Sequence, residues 1–596
     1  MHYFRPALIL AIALFATGCT RTSPSSESLP TEEHTQPEPT DQEQFTQLID
    51  DIFLETVTES GLTLHTLISD PEAYGITDFP ATLGDYSIEG IKNSYSEADE
   101  LFAELKSIDR DALLSAQQLD YDILTAYLEA QQGGEDFYLY EYPLSSIGGL
   151  QMELPIVLAE YSFWDKEDVD NYLNLLSDID ECYTQLLAYI QAQEEAGIYL
   201  SDRTIDGIVD SCKIYLDTPE NGMLRDTFLS RLDGLSDITE EERTAWIEKN
   251  DSILKEDFTD AYTLLTEGLK AMKGHMEFPV GLSSLPDGKK YYEYLLKTTT
   301  FTSYDSPRRV QNAIEQRMQA EMEDAYRLLS ENPELFTQMM DYSFTITDPA
   351  KALKDLQEKI KEDFPAVPEY PYEIRTLPES LEDFSNPAFY LTPPIDSQNE
   401  NYIYINQASV GQQLDLYPVM AHEGYPGHLY QCNYFNAIND SKLRSLLSFS
   451  CYVEGWATYV EYLSYQWDEN LSAPLAQALS ANGTTSLALY ALMDYEVNYE
   501  GMTMEELGQF LQETFGVTDG TTVERFYQTV CEDPANYMKY YMGYLEIMDM
   551  KEDAQDALKD AFSLKEFHTF LLDFGPAPFS IIREHFGMWM NEQRLP

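Results

Sequence analysis

Positive charge is what this sequence lacks most. Its 596 residues hold 36 lysines and arginines against 105 aspartates and glutamates, a formal net charge of −69. A field of that sign repels phosphate backbones, which excludes nucleic acid as a partner. It favours cationic peptides or bound Ca2+, although solubility alone accounts for it equally well. Cysteine is scarce too. Beyond Cys19 there are Cys182, Cys212, Cys432, Cys451 and Cys531, an odd set in which no spacing suggests a disulfide framework or a cysteine zinc site. These five read as small core residues. No repeat of fixed period is present, so a solenoid or propeller is excluded.

The apolar run Pro6 to Gly18 is thirteen residues long, short of the roughly 20 needed to span a bilayer. With Arg5 before it, it has the form of a leader peptide over residues 1–18. It ends Ala16-Thr17-Gly18-Cys19, which resembles a bacterial lipoprotein processing site. That implies cleavage before Cys19, a lipid on its sulfur, and an extracytoplasmic chain anchored to the cell membrane. Residues 19–44 are polar and proline-rich, with nothing to pack, and are expected to form a disordered tether.

From residue 45 to 596 the chain has the 43% hydrophobic and 13% aromatic content of a globular protein. Apolar residues recur at three- and four-residue spacing over Phe45–Ile68, 97–131, 168–195, 308–329 and 348–362, which predicts amphipathic helices. Clusters such as Pro219-Glu220-Asn221-Gly222 and Pro286-Asp287-Gly288 punctuate them. The one patch of strand is 372–406, where Tyr372–Thr376 and Tyr402–Asn406 concentrate β-formers around Pro393-Pro394. The fold class is therefore mainly α, a large helical body with a small β-hairpin or sheet ahead of the segment described next. Its length allows two lobes, near 45–290 and 291–596.

That segment is His422-Glu423-Gly424-Tyr425-Pro426-Gly427-His428. Between Leu416 and Asn433, Glu423 is the sole formally charged side chain, and an isolated carboxylate in an apolar stretch must find a partner or shift its pKa. Two imidazoles beside a carboxylate are what a Zn2+ site with a general base needs. In the familiar H-E-x-x-H motif the histidines lie at i and i+4 on one helix face. Here they lie at i and i+6, about 240° and about 9 Å apart on an ideal helix, too far for one ion. Pro426 with Gly424 and Gly427 supplies the kink that this spacing requires; two unrelated histidines around a Pro-Gly turn are the alternative. The third candidate ligand is Glu454, the sole charge in Ser445–Val460, a run apolar on every face. Its alternative is a buried ion pair with an arginine or lysine. Glu461, two turns on, suits a supporting or surface position better than ligation of the same ion.

The segments H-E-G-Y-P-G-H-L-Y-Q (422–431) and V-E-G-W-A-T-Y-V-E (453–461) resemble the bacterial family known as domain of unknown function 885. Further echoes run from Tyr142-Pro143 and Gly148-Gly149-Leu150-Gln151, through Glu195-Ala196-Gly197-Ile198 and Tyr540–Ile547, to the stretch from Phe567-His568 to Pro578. Together they cover roughly residues 45–590. The resemblance implies a helical fold related to zinc metallopeptidases of the thimet-oligopeptidase and angiotensin-converting-enzyme type. It implies that His422, His428 and Glu454 bind Zn2+, that Glu423 activates water, and that the substrate is a peptide. One departure stands out: the family's D-x-x-x-H-x-x-G frame reads Asp494, Asn498, Gly501 here. For a phenol that steadies the oxyanion the candidates are Tyr540 and Tyr541, and Lys539 and Arg583 are candidates for pairing a substrate carboxylate. His568 and His585 are expected in closing helices and not as ligands. Two rival readings are a catalytically silent peptide-binding lipoprotein and a metal-dependent hydrolase of non-peptide amides or esters.

Overall fold

The first helix, Asp41–Val57, starts where Thr40 caps it. The Thr40 hydroxyl accepts from the Glu43 amide at 3.3 Å while the Glu43 carboxylate reaches back to the Thr40 amide at 2.8 Å. Residues 41–44, read from sequence as the end of a tether, thus belong to this helix. The computed structural model describes residues 39–217, 222–377, 382, 387–399, 401–409 and 416–594. The leader, Cys19 and the tether as far as residue 38 lie outside the described residues. Among those described, no helix is long and apolar enough to cross a membrane.

Helices fill most of the described chain, in the order the apolar spacing predicts but in shorter pieces. The stretch 97–131 is split into Ile88–Ser107 and Ser115–Gln131, and 168–195 into Lys166–Ser177 and Ile179–Glu195. The segments 308–329 and 348–362 form Pro307–Glu331 and Pro349–Lys359.

The predicted strand pair is part of a three-stranded mixed sheet and not a hairpin. Strand β1 (Tyr372–Thr376) runs parallel to β3 (Asn401–Ile405), which pairs antiparallel with β2 (Ala388–Leu391) on its other side. The central strand β3 is the most buried. Asn401 fastens the sheet to the helices behind it. Its carboxamide oxygen accepts from the Tyr390 hydroxyl (2.6 Å) and from Asn433 (3.1 Å), and its nitrogen donates to the carbonyls of Pro371 and Gln398.

The apolar side chains gather into cores that do not divide near residue 290. The largest joins the N-terminal helices, through Phe45, Ile52 and Leu124, to Tyr417, Trp456 and Phe567 of the C-terminal half. A second is built from residues 62–269, including Leu154, Leu158, Tyr172 and Tyr262. Periodicity reports which face of a helix is buried, not which distant helix buries it, so this pairing had no local signature.

One contact sets the geometry of the C-terminal half. The helices Ser450–Ser464 and Asn536–Leu558 cross with their backbones touching at Gly455 and Gly543. A β-carbon at Gly455 would fall on the Gly543 backbone, and one at Gly543 on the Cys451 carbonyl. Neither position has a flexible side chain that could move aside. Overpacking of this kind costs about 1–3 kcal/mol and exceeds the roughly 1 kcal/mol by which alanine outdoes glycine in a helix. Gly455→Ala and Gly543→Ala should each lower the urea midpoint of unfolding. An unchanged midpoint would mean that the two helices can separate at no cost.

Candidate metal centre

The helix Leu416–Glu423 is buried along almost its whole length and ends on the two residues of interest. It does not continue through a kink at Pro426, as the sequence suggested. It stops, and a second helix, His428–Ile438, begins five residues later. The turn between them needs glycine at 427, because a β-carbon there would collide with the carbonyl oxygens of His422 and Ala421. The buried turn carbonyls are satisfied. Tyr430 donates its amide to the Gly424 oxygen (3.1 Å), Gln431 to Gly427 (2.8 Å), and the Trp456 indole to the Pro426 oxygen (2.8 Å). Trp456 therefore ties the turn to the helix that carries Glu454.

The turn brings the two imidazoles together with ring centroids 4.7 Å apart and planes at 85°. Glu454, with no exposed surface, enters from below. Its Oε2 lies 3.7 Å from Nε2 of His422 and 3.5 Å from Nε2 of His428. Both Glu454 oxygens are sealed from solvent and accept no hydrogen bond among the described residues. Ligand atoms of His422, His428 and Glu454 all lie within 4.8 Å of one another, an arrangement that can hold a metal ion. The ion pairs of Glu454 are thus with these histidines, in place of the arginine or lysine that the alternative reading required.

The residues around this triad fix it in place. Glu461 sits against the other face of His422, its Oε2 2.8 Å from Nδ1. An ionised carboxylate only accepts, so Nδ1 donates, and a neutral ring presents its Nε2 lone pair toward Glu454. Glu423 points to the sheet, where its Oε2 accepts the backbone amide of Tyr390 in β2 at 2.9 Å. Tyr390 was not apparent from the sequence, because a four-residue strand with no charge gives no signal beyond its short apolar run.

The electrostatics are those of a buried, tightly packed charge cluster. Burial opposes charge on His422, but Glu454 and Glu461 outweigh it and push its pKa up to about 10. Burial pushes His428 down to about 4, with Glu454 opposing. Glu454 is held below the usual carboxylate range because the two histidines outweigh its burial. Burial raises Glu423 to about 7, with His422 opposing and the charge of Glu454 adding to the rise. Four titratable groups with such divergent tendencies in one enclosed place mark a functional site more often than a structural one.

The two tyrosine candidates separate. Tyr540 is on the side of the metal-site carboxylates, and after burial the charges of Glu454 and Glu423 are the strongest influences raising its pKa. Tyr541, one residue and about 100° further round the helix, faces Glu321, Tyr544 and Arg317 and is not brought to this site. Lys539 is within electrostatic range of Glu454, and its Nζ lies 5.3 Å from the centre of the Tyr540 ring. Arg583 is committed elsewhere, paired with the fully buried Glu546 and with Asp549. His568 is engaged through both ring nitrogens, by the Tyr459 hydroxyl (2.8 Å) and the Asp363 carbonyl (2.7 Å). His585 packs against Phe574. Asn498 lies in a buried structural network, where it accepts from the Leu282 amide (3.1 Å) and donates to the Val530 carbonyl (2.8 Å). Asp494 beside it accepts from the Tyr292 hydroxyl (2.7 Å) and the Ala535 amide (2.8 Å). The departure at Asn498 thus falls in a structural tie and not among the residues around the triad.

No curated protein matches the sequence. Among solved structures, the fold is similar to that of a protein from Colwellia psychrerythraea described as a lipoprotein. The TM-score is 0.82 at 17% identity, over 93% of this chain and 100% of that one. It is also similar to one from Shewanella oneidensis described as a lipoprotein of unknown function, with a TM-score of 0.62 at 18% identity, over 92% and 99% of the two chains. At these identities the likeness concerns the fold. The family model for bacterial proteins of unknown function, DUF885, matches residues 71–586, and the chain belongs to that family.

Proposed function

We propose that this chain is a zinc-dependent peptide hydrolase, held at the outer face of a bacterial membrane by lipid on Cys19. One observation carries the reading. The ligand atoms of His422, His428 and Glu454 converge within 4.8 Å in a buried site, with the Glu423 carboxyl adjoining them and oriented by the Tyr390 amide. The donor set fits zinc. Two imidazoles and one carboxylate recur in catalytic zinc sites that keep a fourth position open, and bonds of about 2.0–2.1 Å give tetrahedral edges of about 3.3–3.5 Å. The Nε2–Oε2 separations of 3.5 and 3.7 Å support that fit. The lipoprotein descriptions of the two structural neighbours support the anchor.

Zinc, when bound, supplies Lewis-acid polarisation of a carbonyl and acidifies water toward a pKa of about 7. The protein's own groups do the rest. Glu423 takes the proton from the attacking water and returns it to the departing amine, a role suited to a carboxyl whose pKa is pushed up to about 7. Glu461 keeps the His422 ring from rotating. The Tyr540 hydroxyl donates to the oxygen on which negative charge develops. Strand β2 is at the sheet edge, and an extended peptide can lie along it by main-chain hydrogen bonding.

Metal analysis and peptide-library cleavage test this directly. Purified protein should hold one zinc per chain, and His422→Ala or Glu454→Ala should lose it. Glu423→Gln should keep the zinc and cleave about 10²–10⁴-fold more slowly. Full zinc occupancy with cleavage indifferent to Glu423 would sink the hydrolase reading, and cleavage of amides or esters but no peptide would redirect the substrate class. Glu461→Ala should weaken zinc binding by about 10–100-fold, with Glu461→Gln, which keeps an acceptor oxygen, in between. Equal affinity in all three proteins would show that Glu461 does not position His422.

A further inference from the structure

The helix Leu150–Glu160 belongs to the second core, yet it reaches both elements that flank the metal site. It contains Pro155, which cannot donate to the carbonyl of Gln151 one turn back. The Tyr262 hydroxyl donates to that oxygen instead, at 2.6 Å, so the helix is locked onto its own core. Eight of its eleven residues are buried. The other three are Glu153, Ile156 and Glu160, at i, i+3 and i+7, a single stripe along one face.

Each end of the stripe meets one flank of the site. Glu160 ion-pairs with Arg375 of β1 at 2.6 Å, in the sheet whose β2 strand orients Glu423. Glu153 lies within electrostatic range of Lys539 and Asp533, at the start of the helix that carries Tyr540, and Lys539 is in range of Glu454 as well. The two carboxylates differ in their bonding. Glu160 is taken up by Arg375, whereas Glu153 makes no hydrogen bond or ion pair among the described residues although it is mostly buried. Its pKa is accordingly pushed up to about 7 by burial, with Asp533 adding and Lys539 opposing. A desolvated carboxylate of this kind gains most from an incoming cation, because the cation replaces interactions with water that burial has already removed.

We propose that Glu153 is a specificity-determining residue of this site, taking the cationic group of a bound peptide. That group is the free α-ammonium or a lysine or arginine side chain. The proposal rests on the peptide-hydrolase reading for its substrate, but binding alone can test it.

The test uses zinc-loaded Glu423→Gln protein, which binds without turnover, titrated calorimetrically with three peptides: pentaalanine, N-acetyl-pentaalanine, and the N-acetyl peptide with one alanine replaced by lysine. A cationic peptide should bind about tenfold or more tightly than N-acetyl-pentaalanine. Which of the two cationic peptides gains identifies the source of the charge. Adding Glu153→Gln should abolish that preference and leave the neutral peptide's affinity unchanged, and Glu153→Lys should shift the preference to N-succinyl-pentaalanine. Discrimination that survives Glu153→Gln would overturn the proposal. So would equal weakening of neutral and charged peptides, or no binding of any of them. If discrimination depends on Glu153 while the unsubstituted protein cleaves nothing, the role of Glu153 stands and the hydrolase reading falls. If peptides are cleaved but charge is ignored, Glu153 alone loses its role.

Discussion

Glu454 is a carboxylate with no exposed surface, carried by a helix that lies against the backbone of its neighbour. Leaving a charge of that kind uncompensated would cost several kcal/mol, so the surrounding structure must supply positive charge at that point. No arginine or lysine does so. The compensation comes from two imidazoles, and much of the local architecture serves to bring them there. Gly455 lets the helix approach Gly543, Trp456 secures the turn between the two histidine helices, and Gly427 allows that turn to close on the carbonyls of Ala421 and His422. Three consecutive residues, Glu454, Gly455 and Trp456, supply the charge, the close approach and the anchor.

Much of this was legible in the sequence, because isolated charges in apolar runs are informative. Glu423 and Glu454 stood out as single carboxylates where burial was expected, and the spacing of His422 and His428 required a break in the helix. The form of the break was less accessible. A proline and two glycines predict distortion, but whether a chain kinks or stops depends on which groups satisfy the freed carbonyls, and here a tryptophan 30 residues downstream does so. The same limit applies to Tyr390, whose contribution is a backbone amide, a group that every residue but proline possesses. Tyr540 and Tyr541 could not be told apart before their helix had a rotational setting. The lobes were misplaced for a related reason: the main core unites helices more than 300 residues apart in sequence, and contact of that range leaves no periodic trace.

The placement of the site between two cores has a consequence for its environment. The triad, Glu423 and Tyr540 all belong to elements of the largest core, whereas the helix Leu150–Glu160 is fixed to the second. A site bounded by one packed body has a single preformed shape. One bounded by two bodies can change its width by small shifts between them, without disturbing the crossing at Gly455 that holds the metal ligands. The ion pair between Glu160 and Arg375, at 2.6 Å with both partners partly shielded, is one of the ties that resist such movement.

Charge then acts at two ranges. The net charge of −69 attracts any cation toward the protein, but a field spread over 105 acidic side chains raises local concentration without recognising a particular group. Exposed carboxylates are already well solvated, and pairing them with a cation contributes little. Recognition requires a carboxylate that water cannot satisfy, placed where only a bound ligand reaches it. In this chain that condition is met at Glu454, whose histidine pair forms a metal-binding geometry, and at Glu153, which faces the same site from the other core. The abundant surface acid accounts for attraction, and selectivity rests with the few carboxylates that folding has removed from water.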